Sequence, residues 1–489
     1  MPLSRRELLT GAASLACLGM APSGRPWNVV WISSDQHNVR WSGFEGHPLV
    51  KTPNLDALAA QSLRLRNTYV AAPSCAPTRQ SWLTGLWPRE HGQLHNALGF
   101  DPRNACLPEL WREAGYATAC HGKLHTWADE SAPGFAGFEE VFNEEASPAA
   151  FEGLRRELRA ELGVTGRTWK PESEQALWDA MPAPDLHGKV HGALYLSPDW
   201  VLLQESRRWL QRQGTQPFFL YTSLRLPHHP FTLLEDFYFR YDPKDLLELP
   251  VAHGLGAICP SAEKNRARRG WSRLTAEQTA LLHARYAGAI EQTDWMVGLL
   301  LEELEAQGLA DSTILVYSSD HGDMAGDHGL WWKGVMFEGA ARKPLLIRMP
   351  GVLEPGGVHE GRVNEVDLLP TLAGLSGLRA PRVSGRDLSE VLRSGSPGQE
   401  HAYAFFDVRG QRAELAMCRD ARFKLMRHGT QLYGGERLLF DLQEDPYETR
   451  DVAADHPRTV RQLERELDRV ELSMQPRYAG VVAPGEDPG

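Results

Sequence analysis

Several things are scarce in this chain of 489 residues, and each scarcity excludes a class of protein. Cysteine occurs only six times, too thinly for a disulfide framework. No apolar run approaches the ~20 residues of a bilayer-crossing helix. The longest lies near the N-terminus and is broken by small and polar residues, which excludes a polytopic membrane protein. Positive charge is in the minority, with 52 Lys and Arg against 63 Asp and Glu and a net charge of −11, so a basic nucleic-acid footprint is not expected. An acidic total still leaves room for an anionic substrate, because a local cluster of cations overrides the global sign. Internal repeats and low-complexity tracts are also missing. What is present, 42% apolar and 24% charged residues, is ordinary globular composition. A prior of ~150 residues per domain suggests about three domains, although large α/β units run longer.

The first residues read as an address. Ser4-Arg5-Arg6-Glu7-Leu8-Leu9 precedes a weakly apolar run that ends in Gly19-Met20-Ala21. A basic pair, a short apolar stretch and small residues near a cleavage point resemble a twin-arginine export signal. Residues 1–25 are therefore set apart from the fold. The expected partner is the Tat translocase, and the expected location is the periplasm or the exterior. A lipoprotein reading on Cys17 is disfavoured, since Ser14-Leu15-Ala16 before it makes a poor lipobox.

Buried-strand and helix patterns alternate through the rest of the chain. Asn28–Ser34, Ala117–Cys120, Pro217–Leu224, Thr313–Ser319 and Pro344–Met349 are short apolar runs, several ending in polar residues, as strands buried on both faces read. Thr52-Pro53 opens one helix, with Thr at the cap and Pro at the first turn. Pro77 to Thr84, closed by Gly85, forms a second, and Thr275 to Gln307 carries a long helical period. This order predicts an α/β sandwich, a mostly parallel sheet between helices. After about residue 380 the pattern changes to strand-like pieces at Tyr403–Val408, Leu415–Arg419 and Phe423–Met426, then a helix from Pro457 to Met474. Residues 26–380 are read as the catalytic domain and 381–489 as a smaller α+β subdomain. Stretches 350–358 and 394–398 are read as loops, and 128–195 as an insertion over the core.

Chemistry concentrates in Cys75-Ala76-Pro77-Thr78-Arg79, followed by Thr84-Gly85. Pro77 marks a helix start, so Cys75 sits where free amides and the helix dipole favour an anion. Arg79, one turn on, can pair with an ionised nucleophile and a sulfate oxygen. Cys-x-Pro-x-Arg with Thr-Gly resembles the signature of the formylglycine-dependent (type I) sulfatases of the alkaline-phosphatase-like superfamily. That resemblance covers most of the chain and implies an alkaline-phosphatase-like fold. It also implies that a formylglycine-generating or anaerobic maturation enzyme oxidises Cys75 to an aldehyde, whose hydrate is the nucleophile.

The resemblance further assigns residues to roles. Asp35-Gln36 and Asp320-His321-Gly322, at two strand ends, would hold a divalent cation together with the modified Cys75. Gln36 stands where the family usually has a second aspartate, and His321 where many members have Asn. The oxygen-rich set suits Ca²⁺, while the imidazole leaves Mn²⁺ open. The pairing of Asp-Gln with Asp-His also resembles phosphonate monoester hydrolases and choline sulfatases. Gly122-Lys123-Leu124-His125 looks like the family's Gly-Lys element. Lys123 would bind a sulfate oxygen, and His125 would take a proton from the hydroxyl that expels sulfate. His228, in Pro227-His228-His229-Pro230, is assigned to the leaving-group oxygen in preference to His229. Lys333 would neutralise sulfate or protonate the leaving group, and Asn96 is a weaker candidate for a sulfate hydrogen bond. His91, His95, Asp323, Asp327 and His328 are read as polar neighbours of the motifs, and Trp331 and Trp332 as packing. Leu439-Phe440-Asp441-Leu442 and the Asp445-Pro446 block are read as a turn between a terminal strand and helix.

The function expected is hydrolysis of a sulfate ester on an organic or carbohydrate substrate. The rival on the same scaffold is a phosphonate or phosphate mono- or diester hydrolase. A non-catalytic binder of sulfated glycans would lack the nucleophile motif, which is intact here.

Overall fold

The computed structural model describes residues 20–96, 98–99, 106–126, 130–132, 135–162, 172–183, 186, 189–191, 197–249, 259–409, 412–430, 434–476 and 481–482. Arg5 and Arg6, and with them most of the signal segment 1–25, lie outside the described residues.

Eight strands form the central sheet: β1 (Asn28–Asp35), β2 (Leu63–Tyr69), β3 (Ala117–Gly122), β4 (Glu140–Phe142), β5 (Phe218–Pro227), β6 (Thr313–Ser319), β7 (Leu345–Arg348) and β8 (Val358–Asn364). Their order across the sheet is β8-β2-β7-β6-β1-β5-β3-β4. Every neighbouring pair is parallel except those made by β7, which runs antiparallel to both β2 and β6. The side-chain period of two sorts the central strands onto two cores. Val29 and Trp31, Phe219 and Tyr221, and Ile314 and Val316 face Trp82, Leu369 and Leu372. Val30 and Ile32, Phe218 and Leu220, and Leu315 and Tyr317 face Leu58, Met296, Val297 and Leu300. Both faces are thus covered, as the continuous apolar runs required.

Among the helices, α1 (Cys75–Thr84) carries the Cys-x-Pro-x-Arg motif and α2 (Pro260–Arg269) precedes the long α3 (Ala276–Ala306). Helix α1 begins at Cys75, two residues before the start expected at Pro77. A proline fits that first turn, where its missing N–H has no intrahelical partner to lose. Thr275 caps α3 by accepting from the Gln278 amide. The expected α/β sandwich is therefore present, and with it a smaller antiparallel sheet of β9 (Ala402–Arg409), β10 (Arg412–Arg419), β11 (Phe423–His428) and β12 (Arg437–Asp441), backed by α4 (Pro457–Ser473). The two sheets meet at a buried ionic joint. Lys424, fully buried in β11, reaches Glu338 at 2.9 Å and Glu448 at 2.7 Å.

Four elements differ from the expectations. Strand β2 alternates Leu63, Leu65 and Asn67 with the more exposed Arg64 and Arg66, a half-covered strand that the search for apolar runs passes over. Strand β8 begins at the last residue of the expected 350–358 loop. The 128–195 segment, read as an insertion over the core, supplies edge strand β4 of the central sheet as well as helices Pro148–Leu162 and Glu172–Asp179. Leu439-Phe440-Asp441 belongs to strand β12, with the turn following it.

Candidate active site

Parallel pairing brings the site together. Strands β1 and β6 are in register at Ser34 and Ser319, so the next residues, Asp35 and Asp320, leave the sheet side by side at the ~4.8 Å strand spacing. On the other side of β1, Asp35 is level with Pro227 of β5, which puts His228 just beyond. Gly122 of β3 pairs with Ser223 of β5, and Lys123 follows. The crevice therefore lies at the carboxyl ends of four adjacent strands, where α/β sheets bind ligands. Gly122 is required there: its φ is +117°, and a Cβ would stand 2.0 Å from the Ser223 carbonyl oxygen.

Side chains of Asp35, Cys75, Asp320 and His321, all buried, converge with one potential donor atom of each within 4.8 Å of the others. The Cys75 Sγ lies 3.1 Å from His321 Nε2 and 3.9 Å from Asp35 Oδ1. His321 is oriented by a 2.8 Å hydrogen bond between its Nδ1 and the Gly322 carbonyl, which leaves Nε2 with its lone pair toward the cluster, as in metal-ligating histidines. Two carboxylates, an imidazole nitrogen and the position-75 side chain make a donor set that fits a divalent cation.

Electrostatics bias the same groups. Burial pushes the Cys75 thiol up, but Lys123, Lys333 and His321, with a hydrogen bond from His125, bring it well below the usual thiol range. Burial and Cys75 act to raise Asp35, and Lys123, His228 and Arg79 together pull it below the ordinary carboxylate range. His321 is raised against its burial by Asp320 and Cys75. Acidic and basic groups thus favour one another's charged forms at this point.

The remaining candidates fall on two sides. Lys123 Nζ donates to Asp35 Oδ2 at 2.6 Å, and His125, held at a φ of +60°, bonds Cys75. Opposite, Lys333 Nζ sits 2.8 Å from His228 Nε2 and donates to Gln36 Oε1 at 2.6 Å. A cavity of about 610 Å³ opens over Asp35, Lys123, His125, His228 and His229, walled by Glu130, Asn143, Asp199, Arg225 and Leu226.

Three further candidates are held by contacts within the protein. Arg79, 1% exposed, directs its donors into the protein: to Asp320 at 3.0 Å, Asp35 at 3.2 Å, the Lys123 carbonyl at 2.6 Å and Ser223 at 2.8 Å. It links the two carboxylates. Asn96 Oδ1 accepts from the Ala76 amide at 3.0 Å and the Ser74 hydroxyl at 2.8 Å, supporting the start of α1. Gln36, at a φ of +71°, bonds Lys333, His229 Nδ1 at 3.0 Å and Asp323 Oδ2 at 2.5 Å through its side-chain amide. Sequence reasoning underrated Asp323, which is fully buried and anchors Gln36, and His229, which the same amide holds. The repeat of Asp three residues after Asp320 was the available signal.

Comparison with known proteins agrees with this geometry. The sulfatase family model matches residues 27–378, and that of the N-sulphoglucosamine sulphohydrolase C-terminal region matches 326–473. The chain is 28% identical to the ulvan-active sulfatase of Formosa agariphila over 86% of its length and 76% of that protein. It is 29% identical to the choline-sulfatase of Rhizobium meliloti over 89% and 84%. Among solved structures, the phosphonate monoester hydrolase of Agrobacterium radiobacter superposes with a TM-score of 0.74 at 26% identity, covering 92% of this chain and 96% of that one. With a family match over most of its length and the fold that such enzymes share, the chain is a member of the sulfatase family.

Proposed function

We propose that this sulfatase cleaves a sulfate ester of a small organic molecule or carbohydrate, using formylglycine made from Cys75 and a divalent cation held by Asp35, Asp320 and His321. The observation that carries the reading is the convergence of those four buried side chains, one of which, Asp35, also lines the 610 Å³ cavity. Oxygen donors favour Ca²⁺ for the ion, and the imidazole extends the fit to Mn²⁺. When present, the cation supplies positive charge to sulfate oxygens and the hydrated aldehyde supplies a nucleophilic hydroxyl.

The chain's own residues do the rest. Lys123 binds a sulfate oxygen while paired with Asp35. His125, bonded to position 75, receives the proton from the hydroxyl there. Lys333 and His228, in mutual contact, protonate the departing oxygen. Arg79 bridges the carboxylates of Asp35 and Asp320. A second reading, phosphonate or phosphodiester hydrolysis, draws on the similarity to the phosphonate monoester hydrolase. Both substrates present a tetrahedral anion to the same groups.

The two are separated by steady-state assays of enzyme co-produced with a formylglycine-generating enzyme. We expect kcat/KM for 4-nitrophenyl sulfate to exceed that for 4-nitrophenyl phenylphosphonate by at least ~10-fold, about 1.4 kcal/mol of differential transition-state binding. The reverse order would transfer the assignment to the second reading.

Export through the twin-arginine route to the periplasm or exterior belongs to the same proposal, since Tat carries folded, cofactor-loaded proteins. Arg5→Lys combined with Arg6→Lys is expected to leave active enzyme in the cytoplasm. The native sequence should appear in the envelope lacking its first ~21 residues. Fractionation with N-terminal peptide mapping checks this. Export unchanged by the double substitution would reject the signal and leave the catalytic assignments standing.

A further inference from the structure

On the leaving-group side of the cavity runs a stack of flat groups, of which the roles above use only His228. His228 lies face to face with His229, with ring centroids 4.0 Å apart and 26° between planes. His229 in turn lies on Trp332, at 4.0 Å and 11°. The Arg269 guanidinium lies over the Trp332 ring, 4.4 Å from its centroid, and Trp271 meets Trp332 edge-on at 5.6 Å. His228 and His229 line the cavity, whereas Trp332 does not. The backbone of Trp332 is as constrained as its ring. Its φ is +68°, its amide donates to Asp323 Oδ1 at 2.9 Å, and its carbonyl accepts from the Met324 amide at 2.8 Å. A side-chain-bearing residue rarely adopts that conformation, and here it directs the next side chain, Lys333, toward Gln36 and His228.

We propose that Trp332 is a positioning residue for leaving-group protonation: its ring backs the His229–His228 pair while its left-handed backbone aims Lys333 at His228. Stacked planar rings resist sliding and tilting better than an aliphatic contact does, and a guanidinium over the indole adds cation–π attraction. Proton donation depends on heavy-atom geometry near hydrogen-bond distance, so displacing this wall misplaces the donor without touching the nucleophile or the cation ligands. The inference rests on the proposed assignment of His228 and Lys333 to the leaving group.

The test compares two sulfate esters whose leaving groups differ in their need for a proton. 4-Nitrophenolate departs unaided, while an alkoxide from an alkyl sulfate must be protonated as it leaves. For Trp332→Gly, which removes the ring yet suits the positive φ, kcat for the alkyl sulfate should fall by ~100-fold. For 4-nitrophenyl sulfate it should fall by less than ~3-fold, with KM nearly unchanged for both. Trp332→Phe, which keeps an aromatic face, should recover most of the loss. An equal fall for both esters, or no fall for either, would overturn the proposal. Absence of sulfate turnover in the matured native enzyme would instead reject the functional reading on which it stands, so the two failures are distinguishable.

Discussion

Asp320→Ala is expected to abolish turnover and metal binding together. One carboxylate oxygen of Asp320 accepts from the Gln36 and His321 amides, both at 2.9 Å, and the other takes Arg79 at 3.0 Å. The substitution therefore removes a charged ligand, loosens the two loops that follow β1 and β6, and leaves Arg79 buried beside a single carboxylate, a costly arrangement for an interior charge. The expected loss in kcat/KM is at least ~10³-fold, about 4 kcal/mol of transition-state stabilisation. Metal content, measured by elemental mass spectrometry after dialysis, should fall in step. Asp320→Asn keeps the shape without the charge and should fall between the two. Full activity in thoroughly chelated Asp320→Ala protein would remove the cation from the mechanism.

A comparable loss is expected at position 75. Co-production with a formylglycine-generating enzyme should lower the mass of the Cys75 peptide by about 18 Da, the net of oxygen replacing sulfur and loss of two hydrogens, with activity proportional to the converted fraction. Cys75→Ala, which supplies no nucleophile in either state, should lose at least ~10⁴-fold in kcat while its fold is unchanged, because the small side chain fits the same helix start. Peptide mass spectrometry beside an aryl sulfate assay decides the point. A fully active protein whose Cys75 remains a thiol would require a different nucleophile.

How much of this could be read in the sequence depended on how each feature was encoded. Strands buried on both faces left unbroken apolar runs, so β1 and β6 were found to within a residue at each end, and Asp35 and Asp320 followed because they terminate those runs. Strand β2 was lost because Arg64 and Arg66 alternate with its leucines. The helix at Pro148–Leu162 was lost because only Phe151, Leu154 and Leu158 of it reach a core. At the site, motif spacing located Cys75, Lys123, His125, His228 and Lys333, all of which the fold brings to one crevice. It could not reveal that Gln36 adopts a positive φ and bonds Lys333, or that Arg79 donates to Asp35, Asp320, Ser223 and the Lys123 carbonyl. Those outcomes depend on which strands become neighbours, and that is a property of the closed sheet.

The same sheet imposes a timetable. Cys75, 1% exposed, touches His321, which lies 246 positions later in the chain. Its neighbour Asp35 reaches the cluster floor only when β6 has slotted beside β1. At ~5–20 residues per second, synthesis takes roughly 10–50 s to travel from position 75 to that partner. Throughout that interval the Cys-x-Pro-x-Arg segment has no completed sheet to enter and stays open to a modifying enzyme. Once β6 docks, the thiol is enclosed between two layers and the opportunity closes. The long sequence separation that makes this topology slow to fold is thus also what would leave time for the proposed conversion of Cys75.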